Sequence, residues 1–255
     1  MESKTKTTVF DFPIGKALAF IVVVLMGMFT AKSVQNIYEF SQYRKEQNIV
    51  NKQIIEQVTE IKLRMQKNGL LIKGIQRIID SIPNNQITSQ ESFAYAEEIV
   101  SVTDKYSNVT PSMLTALLHQ ESRFNKNIVS PAGAMGLGQI MPETLAWICR
   151  EWNMNCHSKT AFSPITNIRM TAWYIDWLFK KPKVCKNNKE RVLSFYNGGG
   201  KQAYRWGLYR KQLNGIILDS LELYNMNNLS KETKEYVYKV MHIDTIFQKQ
   251  IFNIL

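Results

Sequence analysis

One carboxylate stands where acid–base chemistry could be done. Residues 119–144 read HQESRFNKNIVSPAGAMGLGQIMPET. Upstream, Thr110-Pro111 supplies a capping hydroxyl and then a proline at the first helical position, so a helix should start there and run to about Arg123. Glu121 then falls in its last turn. The carbonyl end of a helix carries partial negative charge, which disfavours a carboxylate and favours the protonated acid. Apolar packing would push the same way. An acid that keeps its proton near neutral pH can pass it to a leaving oxygen, as cleavage of a glycosidic bond requires. A lone Glu at a helix end is ordinarily a solvated surface residue, but the loop that follows changes that reading. Gly133, Gly136 and Gly138 let backbone approach a bound chain closely. Gln139 offers a donor and an acceptor suited to sugar hydroxyls and amides. His119 should point elsewhere on the helix and reads as structural.

The elements around this segment read as helices. Ser89 or Ser92 can cap one that runs to about Tyr106. Pro142 opens another, through about Trp152. Asn167 can cap a third, with Ile168, Ala172, Ile175 and Phe179 along one side. A shorter one spans 188–196, and Ser230 caps the last, to roughly Gln250. No clear run of alternating strand residues is present. The expected fold is mainly α.

Together these segments resemble the soluble lytic transglycosylase family, relatives of goose-type lysozyme. That family pairs Glu-Ser at a helix end with a downstream Gly-Leu-x-Gln. Here these are Glu121-Ser122 and Gly136-Leu137-Gly138-Gln139, followed by Ile140-Met141-Pro142. The family often has Met where this chain has Gly138. Its aromatic-Asn-Gly element is matched by Phe195-Tyr196-Asn197-Gly198-Gly199, with Gly198 where Ala is frequent. Its Glu-Thr-x-x-Tyr-Val helix is matched by 232–237. The four motifs occur in the family's order over about 90–255, and the resemblance does not reach residues 1–88. It implies a lysozyme-like helical domain that cuts peptidoglycan glycan strands after N-acetylmuramic acid. Glu121 would be the general acid and then the base. Ser122 and Gln139 would orient substrate, while Tyr196, Asn197 and Tyr236 would hold the sugar N-acetyl group and Glu121. The products would carry a 1,6-anhydro ring, and neither metal nor cofactor would be required.

Two rivals follow from the same residues. A hydrolytic lysozyme would add water with help from a second carboxylate, for which Asp104, Asp176 and Asp219 are the acids to check. A non-catalytic module would grip glycan and scaffold a wall-spanning machine. Other chemistries find no support, since Gly-x-Ser-x-Gly, His-Glu-x-x-His and a Walker loop are all missing from the sequence.

The N-terminus points to a membrane. Residues 17–31 read ALAFIVVVLMGMFTA, bracketed by Lys16 and Lys32. Fifteen helical residues rise about 22 Å, short of the roughly 30 Å hydrocarbon core. Snorkelling Lys side chains with Ile14 and Gly15 make up part of the difference. A cleaved signal peptide and a buried core helix are the competitors; no good small-x-small cleavage site lies near Ala31, and the stretch is apolar all round. Residues 33–82 read as a helical stalk, with Ile54, Val58, Ile61, Met65, Ile72, Ile75, Ile79 and Ile82 in 4-3 spacing broken at Asn68. Gly69 and Gly74 weaken it. Residues 81–89 read as a linker. The expected organisation is a membrane anchor at 1–32, stalk and linker at 33–88, and a catalytic domain at 89–255.

A net charge of +11 is spread over the chain, with 12 Lys/Arg against 7 Asp/Glu in 1–83 and 20 against 14 in 84–255. No dense basic stripe appears, which argues against a nucleic-acid partner. The excess suits phospholipid headgroups or cell wall. Expected partners are peptidoglycan strands and the membrane, with self-association through the stalk or docking to a secretion, conjugation or phage machine left open. Expected placement is the cytoplasmic membrane with the C-terminal domain outward, or else a phage virion. Of three cysteines, Cys149 and Cys156 are near enough to pair in an oxidising compartment, or all three are free thiols. Cys156-His157 beside Cys149 matches no common zinc spacing.

Overall fold

The computed structural model describes residues 14–83, 86–181, 185, 187–208 and 229–252. Among them are seven α-helices: α1 (Ile14–Asp80), α2 (Ser89–Thr103), α3 (Pro111–Ser122), α4 (Pro142–Glu151), α5 (Pro164–Phe179), α6 (Lys189–Leu208) and α7 (Lys231–Phe252). A short 3-10 turn spans Ser158–Phe162. No strand occurs among the described residues, in agreement with the expected fold class. Asp219 lies outside them.

The chain divides into two compact units, 1–64 and 65–255. The expected boundaries differ from this division: residue 32 falls within α1, and residues 65–88 cluster with the second unit. In the first unit, α1 is long and apolar enough near its N-terminal end to cross a membrane, as a signal sequence also is, and that stretch buries nothing against protein. Ile54, Val58 and Ile61 are exposed.

The second unit carries the core. Here α1 runs through Gly69 and Gly74, although each costs about 1 kcal/mol in a helix interior. Burial of Ile75, Ile78 and Ile79 in the same cluster as Tyr95 and Ile99 of α2 offsets that cost. At the centre lies α3, apolar on nearly every side and therefore covered on nearly every side: Met113, Leu114, Ala116, Leu117 and Leu118 are fully buried. Ile168, Ala172, Ile175 and Phe179 of α5 are buried as their spacing predicts. A bidentate Arg169–Glu98 pair ties α5 to α2 at 2.7 and 2.8 Å, and Lys189–Asp244 ties α6 to α7 at 2.6 Å.

Three helix starts or ends differ from expectation. Thr88 rather than Ser89 or Ser92 caps α2, because its hydroxyl accepts from the Glu91 amide while the Glu91 carboxylate accepts from the Thr88 amide. Ser163 precedes α5, which opens on Pro164, so Asn167 lies inside the helix and is free for other work. The helix expected to end at Tyr196 continues to Leu208 through a kink at Gly199, whose φ of 72° suits glycine. Cys149 and Cys156 form a disulfide that staples the end of α4 to the loop after it, and Cys185 is a buried free thiol.

Candidate active site

Glu121 ends α3, and the turn after it is sharply constrained. Arg123 and Phe124 both take left-handed backbone (φ 48° and 61°) although neither is glycine. Such conformations persist only where the surroundings over-determine them. Full burial of Phe124 supplies that anchor. The reversal sends the chain into the glycine loop, which two isolated bridges, Val129–Met135 and Met135–Ile140, fold back on itself.

The Tyr236 hydroxyl, on α7, donates to Glu121 Oε1 at 2.5 Å. Residues 115 apart in sequence thus meet at one carboxyl group. Burial pushes the Glu121 carboxyl up to about 7, and the Tyr236 hydrogen bond pulls part of the way back. The expected direction holds, with desolvation as the main cause. Burial also holds the Tyr196 and Tyr236 phenols well above their ordinary range, and the Glu121 charge adds to both shifts. A half-protonated acid near pH 7 is suited to giving a proton and then taking one. Acid-catalysed bond cleavage at this site should therefore be full below pH 7 and fall as pH rises through about 7, because the ionised form has no proton to give. In Tyr236→Phe the hydrogen bond to the ionised form is lost, so this limb should move to higher pH. A pH–rate profile of both proteins checks it; a limb that stays put or moves down contradicts the assignment.

The other predicted residues take different places. Ser122 is buried, and its hydroxyl turns back to the Leu118 carbonyl at 3.1 Å. Gln139 has a φ of 49°, and its Nε2 donates to the carbonyls of Gly136 (2.9 Å) and Ile128 (3.2 Å), so that donor closes the loop. The Tyr196 hydroxyl donates to the Gly138 carbonyl at 2.5 Å, close enough to Glu121 to feel its charge. Asn197 follows it on α6, half-buried. Of the acids held for a second role, Asp176 is buried and engages Lys180 and Asn108, and Asp104 is exposed at the end of α2. His119 packs edge-on against Phe247, as a structural histidine would. No cluster of metal ligands occurs among the described residues.

Asn167 was missed as a site residue. Fully buried on α5, it accepts from the Gly138 amide at 2.7 Å and donates to the carbonyls of Ala161 (2.8 Å) and Met135 (3.2 Å). Its spacing predicted only a cap. The glycines were the available signal, since they announce that something approaches the loop closely without naming it.

Residues 98–218 match the family model of the transglycosylase SLT domain. Over that segment, just under half its length, the chain is similar to the SLT domain. It is homologous to soluble lytic murein transglycosylases: that of Escherichia coli K12 is 26% identical over 144 residues, which is 55% of this chain and 21% of the relative. That of Salmonella typhimurium LT2 is 25% identical over 145 residues, with the same coverage. The chain thus spans about a fifth of the length of the curated relatives it matches. Two solved structures share the fold. One is an inactive mutant of the lytic transglycosylase Slt from Pseudomonas aeruginosa (TM-score 0.51, 22% identity, covering 67% of this chain and 27% of that one). The other is a 70-kDa soluble lytic transglycosylase in complex with bulgecin A (TM-score 0.51, 24% identity, 61% and 24%). Glu121, the glycine loop and Tyr196 fall inside the matched SLT segment. Tyr236 lies beyond it, and the structure nevertheless brings it to the same carboxyl.

Proposed function

We propose that this chain cuts peptidoglycan glycan strands between N-acetylmuramic acid and N-acetylglucosamine, with Glu121 as the single acid/base. The observation that carries the reading is a buried carboxyl, raised to about 7, held by Tyr236 at the end of an SLT-domain helix. Glu121 protonates the oxygen that links the sugars, and the bond from that oxygen to the anomeric carbon breaks. The N-acetyl oxygen of the substrate steadies the positive charge on that carbon. The Glu121 carboxylate then takes the proton of the sugar's own 6-hydroxyl, whose oxygen closes a 1,6-anhydro ring. Glu121 ends protonated as it began, and no water is consumed. Gln139 orients sugar through its carboxamide oxygen, Asn197 holds the sugar N-acetyl group beside Tyr196, and Ser122 braces the end of α3 through the Leu118 carbonyl. A free-water route would call for a second acid, and the described Asp176 is already engaged. The test is the mass of fragments released from intact sacculi, because an anhydro end is lighter by one water than a hydrolysed one; products carrying that water would move the assignment to a lysozyme.

Placement follows from substrate and chemistry. Peptidoglycan lies outside the cytoplasmic membrane, and a Cys149–Cys156 disulfide belongs to an oxidising compartment. The apolar start of α1 anchors the chain in the membrane, with the SLT domain outward. Protease added to spheroplasts should digest that domain; a domain cut only after lysis would place it inside.

A further inference from the structure

Gly138 is braced from three directions. Its amide donates to Asn167 Oδ1 at 2.7 Å, and its carbonyl accepts from the Tyr196 hydroxyl at 2.5 Å. Its third side faces α5. A Cβ built on Gly138 would stand 2.0 Å from the Thr171 hydroxyl oxygen and 3.1 Å from both Thr171 Cβ and Cγ2. Thr171 is fully buried, and its side chain partly offsets the upward push of burial on the Tyr196 phenol. Its hydroxyl donates to Asn167 Oδ1 at 3.5 Å, so it touches the residue that holds the Gly138 amide.

We propose that Thr171 is a positioning residue of this site and forms with Gly138 a matched pair that seats the loop on α5. The hydroxyl occupies the space where a side chain on residue 138 would begin, and it donates to the Asn167 carboxamide that holds the Gly138 amide. The next residue, Gln139, is non-glycine in left-handed backbone (φ 49°), a conformation that needs such bracing. Thr171 therefore acts on substrate only through Gly138, Asn167 and Gln139. This inference rests on the wall-cutting role proposed above only for its kinetic consequence; the packing of the pair stands apart from it.

The test uses the full chain and five proteins: wild type, Thr171→Ser, Thr171→Val, Gly138→Ala, and Gly138→Ala combined with Thr171→Ala. Sacculus digestion gives kcat and KM, and thermal unfolding gives Tm. Thr171→Ser keeps the hydroxyl and should digest as wild type does. Thr171→Val keeps the shape without the donor and should lose about tenfold in kcat, the scale of one hydrogen bond, with Tm near that of Thr171→Ser. Gly138→Ala should lower Tm and activity, and adding Thr171→Ala should restore part of both, because it removes the nearest clashing atom. Thr171→Val as active as Thr171→Ser would overturn the positioning role. A double variant with a Tm no higher than that of Gly138→Ala would overturn the pair. Should wild type digest no wall, the functional reading fails by itself, and the Tm coupling still decides the pair.

Discussion

Glu121→Gln should digest purified sacculi between about a hundredfold and ten-thousandfold more slowly than wild type, the range that a positioned general acid/base contributes. The replacement has nearly the same shape, and its amide oxygen can still accept from the Tyr236 hydroxyl that now reaches Glu121 Oε1. What it lacks is an acidic proton and a basic carboxylate, so both halves of the proposed cycle stop while the fold stays. Stability supplies an independent check with a definite sign. The folded carboxyl is raised to about 7 from 4.5, so wild type has its full stability below pH 4.5 and loses stability as pH rises toward and through 7. Gln carries no such penalty. The Tm of Glu121→Gln, measured against wild type, should therefore be relatively higher at pH 8 than at pH 4. Equal digestion by the two proteins would remove Glu121 from its role. A Tm difference that does not change with pH would show that the carboxyl is not desolvated.

Gly136→Ala should be the most damaging single methyl in the loop. The residue has a φ of 75°, where an L side chain is strained, and its Cβ would stand 2.2 Å from the Ala161 carbonyl oxygen and 2.5 Å from Asn167 Nδ2. Backbone cannot swing away as the end of a side chain can. Asn167 cannot move without releasing the Gly138 amide and the Met135 and Ala161 carbonyls. Strain and overpacking each cost about 1–3 kcal/mol, and the sum is roughly 3 kcal/mol or more. For a domain of this size that corresponds to a fall in Tm of about 10 °C. Gly133→Ala is the control, since Gly133 also has positive φ (89°) but its Cβ would meet only Pro142 Cγ at 4.0 Å. It should cost the strain alone. Comparable Tm losses in both would show that the close approach of α5 does not hold the loop.

Much of this site was legible in the sequence because its parts are local. Thr110-Pro111 announced α3, and one turn's arithmetic put Glu121 at its end. The apolar face of α5 was written in its spacing and was found buried. Other features depend on partners far along the chain, and local pattern does not encode them. Asn167 looks like a cap because caps and buried clamps use the same side chain, and only the packed loop shows which atoms it meets. Ser122 sits beside the acid in sequence, yet helix geometry turns its hydroxyl to the Leu118 carbonyl. Thr171 stands on the face of α5 that meets the glycine loop, and nothing in its neighbours says so. The capping residue of α2 slipped by one position because Thr88, Ser89 and Ser92 are all competent caps, and only Glu91 completes a reciprocal pair with Thr88.

The most direct measurement is the mass of the muropeptides released from intact sacculi by wild type, with Glu121→Gln run beside it as the blank. The single-carboxylate route predicts that wild type releases fragments ending in a 1,6-anhydro ring, one water lighter than reducing ends, and that the blank releases almost none. Release of reducing ends alone, or the same fragments from both proteins, would contradict it.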